Sequence, residues 1–396
     1  MVHFSRVLLL AFAVCLTECS DAGDSSSPLS EQEEDWKSFS RSPQDAVIIA
    51  QNYFNKMEIE SRSSDPISAR AIVSTSATRS GLASDTITYI CQRGEDDGFV
   101  LVAADSRVDE ILAYSLSGKF DYEPTYENPV YSEFISHIEP YMTQLVSESL
   151  LVDTLESRKV IGRFIVADEA RWSQNDPYDK YVIINHPNCP VGCGAVAAGM
   201  VMLYCIDSLT CDNEFYDFQK IRYGMNQESS AIVDNGMYSY SVAVDKVAKL
   251  LSSVGESIGM TYSTDGSASH ISRIYSYLKQ LGLTKSEYEN GYANYKELVK
   301  NMRENKELIF MQGVKYSPFG SHFWLVDGYS FQCVAGHANP IDTAYMSDVK
   351  LHCNWGWGGT SNGFYSGAVL NGYTPVDYIE VGTYKESKYN ALNYYF

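Results

Sequence analysis

The sequence lacks any concentration of positive charge: 30 Lys and Arg stand against 50 Asp and Glu, for a formal charge of −20. Affinity for nucleic acid comes largely from cations that neutralise phosphates, so no nucleic-acid partner is expected. Long apolar runs are also missing. The one candidate, Val7 to Leu16 after Arg6, is too short to span a bilayer and reads as an export signal. No two cysteines show CxxC spacing and no flanking histidine completes a set of four, which argues against a structural metal. No cofactor motif and no internal repeat is present, and low complexity is confined to the stretch after the signal.

What is there describes an ordinary globular chain with two domains: 396 residues, 45% hydrophobic and 20% charged. The 30 tyrosines suit a secreted or surface protein with polar-tipped aromatics. Residues 1–19 form the expected signal peptide. Its end, Leu16-Thr17-Glu18-Cys19, resembles a bacterial lipobox with Cys19 as candidate lipid acceptor, although Glu18 replaces the usual small residue. The Ser/Asp/Glu-rich residues 20–40 then read as a flexible tether. These features point to export, to the medium or to the cell surface or outer membrane as a lipoprotein. Among the nine cysteines, Cys205 and Cys211 are the likeliest local disulfide pair.

Residues 41–158 read as a first domain. Helical spacing places Ala46, Ile49, Ala50 and Tyr53 on one face. Residues 61–80 read as a Ser/Thr/Arg-rich connector. Thr88–Cys91 and Gly98–Ala104 read as paired strands about an acidic turn, with Glu110–Ser115 continuing the sheet. An amphipathic helix is expected over 128–152, interrupted at Pro140. Residues 156–163 are charged and suit a domain boundary and a proteolytic cut. The second domain, 159–396, holds every candidate for chemistry.

Three separated patches carry that chemistry. Cys193 opens an all-apolar run, Ala195 to Leu203, expected as a buried helix. A thiol at a helix N-terminus sits at the positive end of the macrodipole, which favours thiolate, the more so beside an imidazolium. Its bland alternative is a buried structural cysteine. His322 opens a strand-like run after a Gly-containing loop. The other histidines compete poorly: His186 lies in a Pro/Asn loop, and His270 and His337 in polar loops. His352 stands roughly 7 Å along one strand from Asn354, beyond reach of that amide. Asn354 heads Asn-Trp-Gly-Trp-Gly-Gly; its side-chain carbonyl can fix an imidazole tautomer, and tryptophan over the bond excludes water. Nucleophile, base and orienter in one cleft describe thiol-dependent acyl chemistry.

Gly192-Cys193-Gly194-Ala195-Val196-Ala197, Ser321-His322-Phe323 with Val326-Asp327-Gly328, and Asn354 to Gly359 resemble the active-site blocks of the streptopain family of exported bacterial cysteine endopeptidases. Gly98 to Asp105 and Glu110 to Ser115 resemble the family's propeptide. The resemblance implies an α+β fold: a papain-like two-lobed catalytic domain, with Cys193 on a helical lobe and His322 and Asn354 on an antiparallel β lobe, preceded by an α+β propeptide domain. It implies a zymogen that hydrolyses protein and peptide substrates without metal or cofactor, held inactive by its own propeptide. Trp172 to Tyr178 resembles the segment supplying the oxyanion-hole glutamine, here Gln174. Gly266-Ser267-Ala268 resembles the substrate-binding loop. Ser267, Ser321 and Trp355 are the implied substrate-binding residues, with Ser321 in place of the family's usual glycine. A Cys-dependent acyl transferase and a non-catalytic binding or inhibitor protein are the alternatives.

Overall fold

Helix α1 (Pro43–Met57) begins where Ser42 and Asp45 cap each other: Asp45 Oδ2 accepts from the Ser42 amide at 2.8 Å, and Ser42 Oγ accepts from the Asp45 amide at 3.2 Å. Proline at the first helical position sacrifices no intrahelical bond. The helix buries Ala46, Ala50, Phe54 and Met57, one stripe of its surface, against a small sheet. The computed structural model describes residues 39–57, 65–73, 85–121, 138, 142, 159–166, 170–227, 236–285, 294–315, 320–334, 346–366, 376–382 and 394–395. The expected signal and Cys19, the tether as far as residue 38, almost all of the 128–152 helix, and His337 lie outside these residues.

The small sheet contains β1 (Ile67–Val73), β2 (Thr86–Arg93), β3 (Phe99–Ala103) and β4 (Ile111–Ser115), all antiparallel. The hairpin β2–β3 and its extension by β4 match expectation. β1 does not, because it falls in the stretch read as a connector. Its Ser, Arg and Ala residues are largely solvent-facing and only Ile72 is buried, so the strand shows little hydrophobic alternation.

The sheet continues into the second domain. β4 pairs with β11 (Gly363–Ser366), which pairs with β10 (Met346–Asn354), then β9 (Gly320–Val334), β5 (Lys159–Ile165) and β13 (Tyr394–Tyr395). β8 (Leu308–Lys315) pairs with β9 and β12 (Val376–Val381) with β8. At the β4–β11 junction Tyr114 stacks on Phe364 with ring centroids 4.8 Å apart, and Tyr53 of α1 meets Tyr114 edge-on at 4.9 Å. The N-terminal domain thus shares both a ladder and an apolar cluster with the C-terminal half. β5 runs between β13 and β9, from Lys159 opposite Val334 to Ile165 opposite Gly328. Much of the 156–163 stretch, read as exposed boundary, is therefore a paired strand.

Against this sheet packs a helical layer. After the short α2 (Val182–Asn185), α3 (Cys193–Cys205) has every residue buried, as its uniform apolarity requires. Gly199 permits the contact with α5 (Tyr240–Ser257): a Cβ there would lie 2.6 Å from Leu251 and 3.2 Å from Trp172. The hairpin β6–β7 (Ser208–Cys211, Glu214–Asp217) and helix α4 (Phe218–Met225) follow α3, and α6 (Ile271–Gln280) and α7 (Tyr295–Asn305) complete the described helices. Cys205, at the helix end beside Gly382, and Cys211, at the hairpin tip beside Asp212, are not joined to each other. The expected local disulfide is absent. No helix among the described residues is long and apolar enough to cross a membrane.

Candidate active site

The start of α3 faces the start of β9. Gly192 caps the helix with φ of +93°, a conformation that L side chains rarely adopt, and a Cβ there would collide with Met260 and crowd Ser267. The turn throws Cys193 into the first helical position. The backbone amides of Phe323, Gly194 and Cys193 itself lie near its sulfur and favour the thiolate. Because Phe323 directly follows His322, this proximity brings nucleophile and base candidates to one corner. Both side chains are 8% exposed.

The charge state differs from the sequence expectation. Burial pushes the Cys193 thiol up, and the three backbone donors offset this only in part. Burial also pulls His322 down to about 4, against the opposing effect of its hydrogen bond to Trp355. At neutral pH the pair is therefore thiol and neutral imidazole, because desolvation outweighs the backbone groups that favour the charged forms.

His322 Nε2 lies 3.0 Å from the carbonyl oxygen of Trp355. A carbonyl only accepts, so Nε2 carries the hydrogen and Nδ1 keeps the lone pair. Asn354, expected to hold the ring, is fully buried and bonds elsewhere. Its Nδ2 donates to the Ala170 carbonyl at 2.7 Å, and its Oδ1 accepts from the Gly356 amide at 3.3 Å. That amide belongs to the same planar peptide as the Trp355 carbonyl. Asn354 thus acts on the imidazole at one remove, through the peptide it orients. The strand geometry explains the difference: β10 ends at Asn354, and the chain then turns so that backbone, not side chain, reaches the ring.

Trp355, expected at the substrate, is 4% exposed and serves as a wall. Its indole Nε1 donates to the Ser361 carbonyl at 3.0 Å, and its ring packs on Trp324, Trp357 and Tyr365 at 5.2–5.4 Å. Trp357, named by sequence reading only as part of its motif, is half-buried and stands nearest the imidazole, with centroids 4.9 Å apart. The Trp-Gly-Trp spelling was the available signal, since a Gly between two rings lets both turn to one side.

Gln174 is half-buried on a segment pinned to the site from both ends. Its carbonyl accepts from Val191 at 2.8 Å, in the loop leading to Cys193, and the Trp172 carbonyl accepts from Gly358 at 2.9 Å. Ser267 is buried beside Gly192, but its hydroxyl donates to the Pro190 carbonyl at 2.6 Å, so that group braces the loop before the helix. Its neighbour Ala268 pairs with Thr261 through two backbone bonds of 2.8 and 3.0 Å. Ser321 is exposed on β9 opposite Val314.

Three of the competing histidines have partners elsewhere. His352 Nδ1 meets Asp327 Oδ1 at 2.5 Å within the sheet. His186 stacks on Tyr262 at 4.4 Å, and His270 caps α6.

Comparison with known proteins adds to this geometry. Residues 172–365 match the model of the Peptidase C10 family, and residues 28–140 match that of the Spi protease inhibitor. Streptopain of Streptococcus pyogenes is 26% identical over 307 residues, covering 69% of this chain and 72% of streptopain. The thiol protease/hemagglutinin PrtT of Porphyromonas gingivalis is 25% identical over 362 residues, covering 82% of this chain and 38% of that protein. Among solved structures, a fragment of Prevotella intermedia prointerpain A superposes with a TM-score of 0.48 at 18% identity, covering 81% of this chain and 99% of that one.

Proposed function

The chain belongs to the Peptidase C10 family and is a cysteine endopeptidase made as a zymogen with an inhibitor-like domain; from that premise we propose that Cys193 is its nucleophile and His322 its general base. The observation that carries the assignment is the shared corner, where Phe323 packs at the start of the Cys193 helix and the Trp355 carbonyl accepts from the far nitrogen of His322.

His322 Nδ1 takes the thiol proton, and the Cys193 sulfur attacks the substrate carbonyl carbon. Negative charge develops on the carbonyl oxygen, where the Cys193 amide and the Gln174 side chain donate; losing one such donor costs about 2.7–4 kcal/mol in a comparable hydrolase. The C–N bond breaks as His322 returns its proton to the leaving amine, leaving a thioester. Water, deprotonated by His322, then releases the carboxylic acid and regenerates the thiol. Asn354 and Trp355 keep the ring in its tautomer throughout. Ser267, Ser321 and the main chain at Ala268 border the channel for an extended substrate.

The division at residues 158 and 159 is also proposed. Residues 41–158 act as the intramolecular inhibitor and 159–396 as the peptidase. The pairing of β5 supports maturation N-terminal to Lys159, since a cut within β5 requires a strand held between two neighbours to be pulled out. Export, and lipid attachment at Cys19, rest on the apolar run before it and the Ser/Asp-rich tether after it.

A biotinylated peptidyl electrophile, reacted with the matured protein and mapped by mass spectrometry, tests the assignment. Cys193 is expected to carry the label alone, and His322→Ala to slow labelling. Labelling spread over other thiols refutes it.

A further inference from the structure

The imidazole depends on one backbone carbonyl, so whatever aims that carbonyl takes part in the reaction indirectly. Trp355 lies between two peptides, each held by an amide side chain. The peptide that follows is held by Asn354, through Gly356 N–H at 3.3 Å. The peptide that precedes is held by Asn362, whose Oδ1 accepts from Trp355 N–H at 3.0 Å. We propose that Asn362 is a positioning residue for His322, a role that rests on the Cys193–His322 assignment above.

Several features make Asn362 a fixed point. It is 4% exposed, as is Ser361 beside it, so neither competes with solvent for its partners. The turn between the two ends closes on itself, with Thr360 N–H on the Trp357 carbonyl at 3.1 Å and Asn362 N–H on the Gly359 carbonyl at 3.3 Å. Ser361 adopts φ of +59°, a left-handed conformation that costs energy for a residue with a Cβ. The Ser361 carbonyl, so placed, accepts from both Trp355 Nε1 at 3.0 Å and the Tyr365 hydroxyl at 2.5 Å. Asn362 and Ser361 therefore grip Trp355 by its backbone and by its indole.

The propeptide side touches the same turn. Ser361 N–H donates to the Lys119 carbonyl at 3.0 Å, and Ser361 Oγ accepts from Asp121 N–H at 3.2 Å. Both bonds disappear when the N-terminal domain leaves. The bond from Trp355 to Asn362 lies wholly within the catalytic half and persists, so in the mature enzyme Asn362 sets the carbonyl that His322 meets.

The chemistry gives a signature beyond lost activity. The Trp355 carbonyl stabilises the protonated ring, which exists from proton uptake to proton return. Once that carbonyl drifts, the imidazolium loses its proton at lower pH. The acid limb of kcat/KM, where the base becomes protonated, then moves down, and kcat falls by about a hundredfold, the scale of an ångström-sized misplacement. KM holds, because no substrate contact is lost.

The test compares wild type, Asn362→Leu and Asn362→Asp as full precursors, matured with wild-type enzyme in trans where needed. Activity is normalised by titration with a peptidyl epoxide, and kcat and KM are measured against pH. Leucine keeps the shape and removes the acceptor; aspartate keeps the acceptor and is expected to restore the position of the limb. If Asn362→Leu does not fold, Asn362→Ala, whose cavity admits water, decides in its place. Unshifted limbs and undiminished kcat in the acceptor-free variant overturn the positioning role. So does an aspartate variant that behaves like leucine. Cys193→Ala and His322→Ala run alongside: if either keeps wild-type activity, the underlying assignment fails instead.

Discussion

His322 Nε2 and the Trp355 carbonyl oxygen lie 3.0 Å apart, and this contact joins the base to the Trp-Gly loop. A backbone acceptor has no side-chain freedom to lose, so it holds the ring at lower entropic cost than a mobile amide. It also places the two tryptophans of the loop in different roles, one structural and one protective.

Replacing the two rings separates those roles. Trp357→Ala is expected to lower kcat about tenfold or more, by letting water compete for the His322 hydrogen bond, while thermal stability changes little because the ring is half-exposed. Trp355→Ala removes a buried ring and is expected to cost about 3–5 kcal/mol of stability. Urea unfolding of both variants in a Cys193→Ala background, beside kcat for the active forms, checks the contrast. Equal stability losses contradict it.

Asn354→Ala leaves the Ala170 carbonyl and the Gly356 amide buried without their partner. Each orphaned group costs about 1–3 kcal/mol. A marked drop in unfolding free energy is expected along with lost activity. A variant that loses only kcat, at full stability, indicates a direct bond to the imidazole instead.

Tyr114→Ala strips the ring that stacks on Phe364 where β4 pairs with β11. Weaker docking of the N-terminal domain is expected, read as faster conversion of precursor to mature enzyme and as weaker inhibition by the separated domain. Unchanged conversion kinetics show that this cluster does not hold the inhibitor in place.

Burial gives a pH dependence with a definite sign. His322 binds its proton at about 4 in the fold and at the ordinary 6.5 when unfolded, so between those values the unfolded chain binds more protons. The precursor is stabilised above pH 6.5 and loses that contribution as pH falls towards 4, by about 3 kcal/mol at the limit. Stability of Cys193→Ala is expected to decline across this window more steeply than that of the Cys193→Ala, His322→Gln double variant. Parallel declines exclude His322 as the cause.

Side chains with chemistry were legible in the sequence where their surroundings were extreme. The uninterrupted apolar run after Cys193 announced a buried helix, and the acidic turn at residues 94–97 announced the hairpin. β1 was hidden because Ser68, Arg70, Ala71 and Val73 are exposed and only Ile72 is buried, which leaves no apolar alternation to read. The acceptor bonded to His322 Nε2 was hidden for a different reason: every residue owns a carbonyl, so no letter marks this one. Asn362 escaped notice because its link to Trp355 depends on a turn through Ser361 at positive φ, which spacing alone does not reveal. The neutral state of Cys193 and His322 likewise depends on burial that only the packed structure supplies.

The most direct measurement is an incubation of purified precursor beside its Cys193→Ala variant, followed by mass spectrometry and casein digestion. Only the wild type is expected to cut itself, at a bond N-terminal to Lys159, and to degrade casein. Processing and casein degradation by the variant, or by neither protein even with reductant and after trypsin removes the N-terminal domain, contradicts Cys193 as the nucleophile of a self-maturing peptidase.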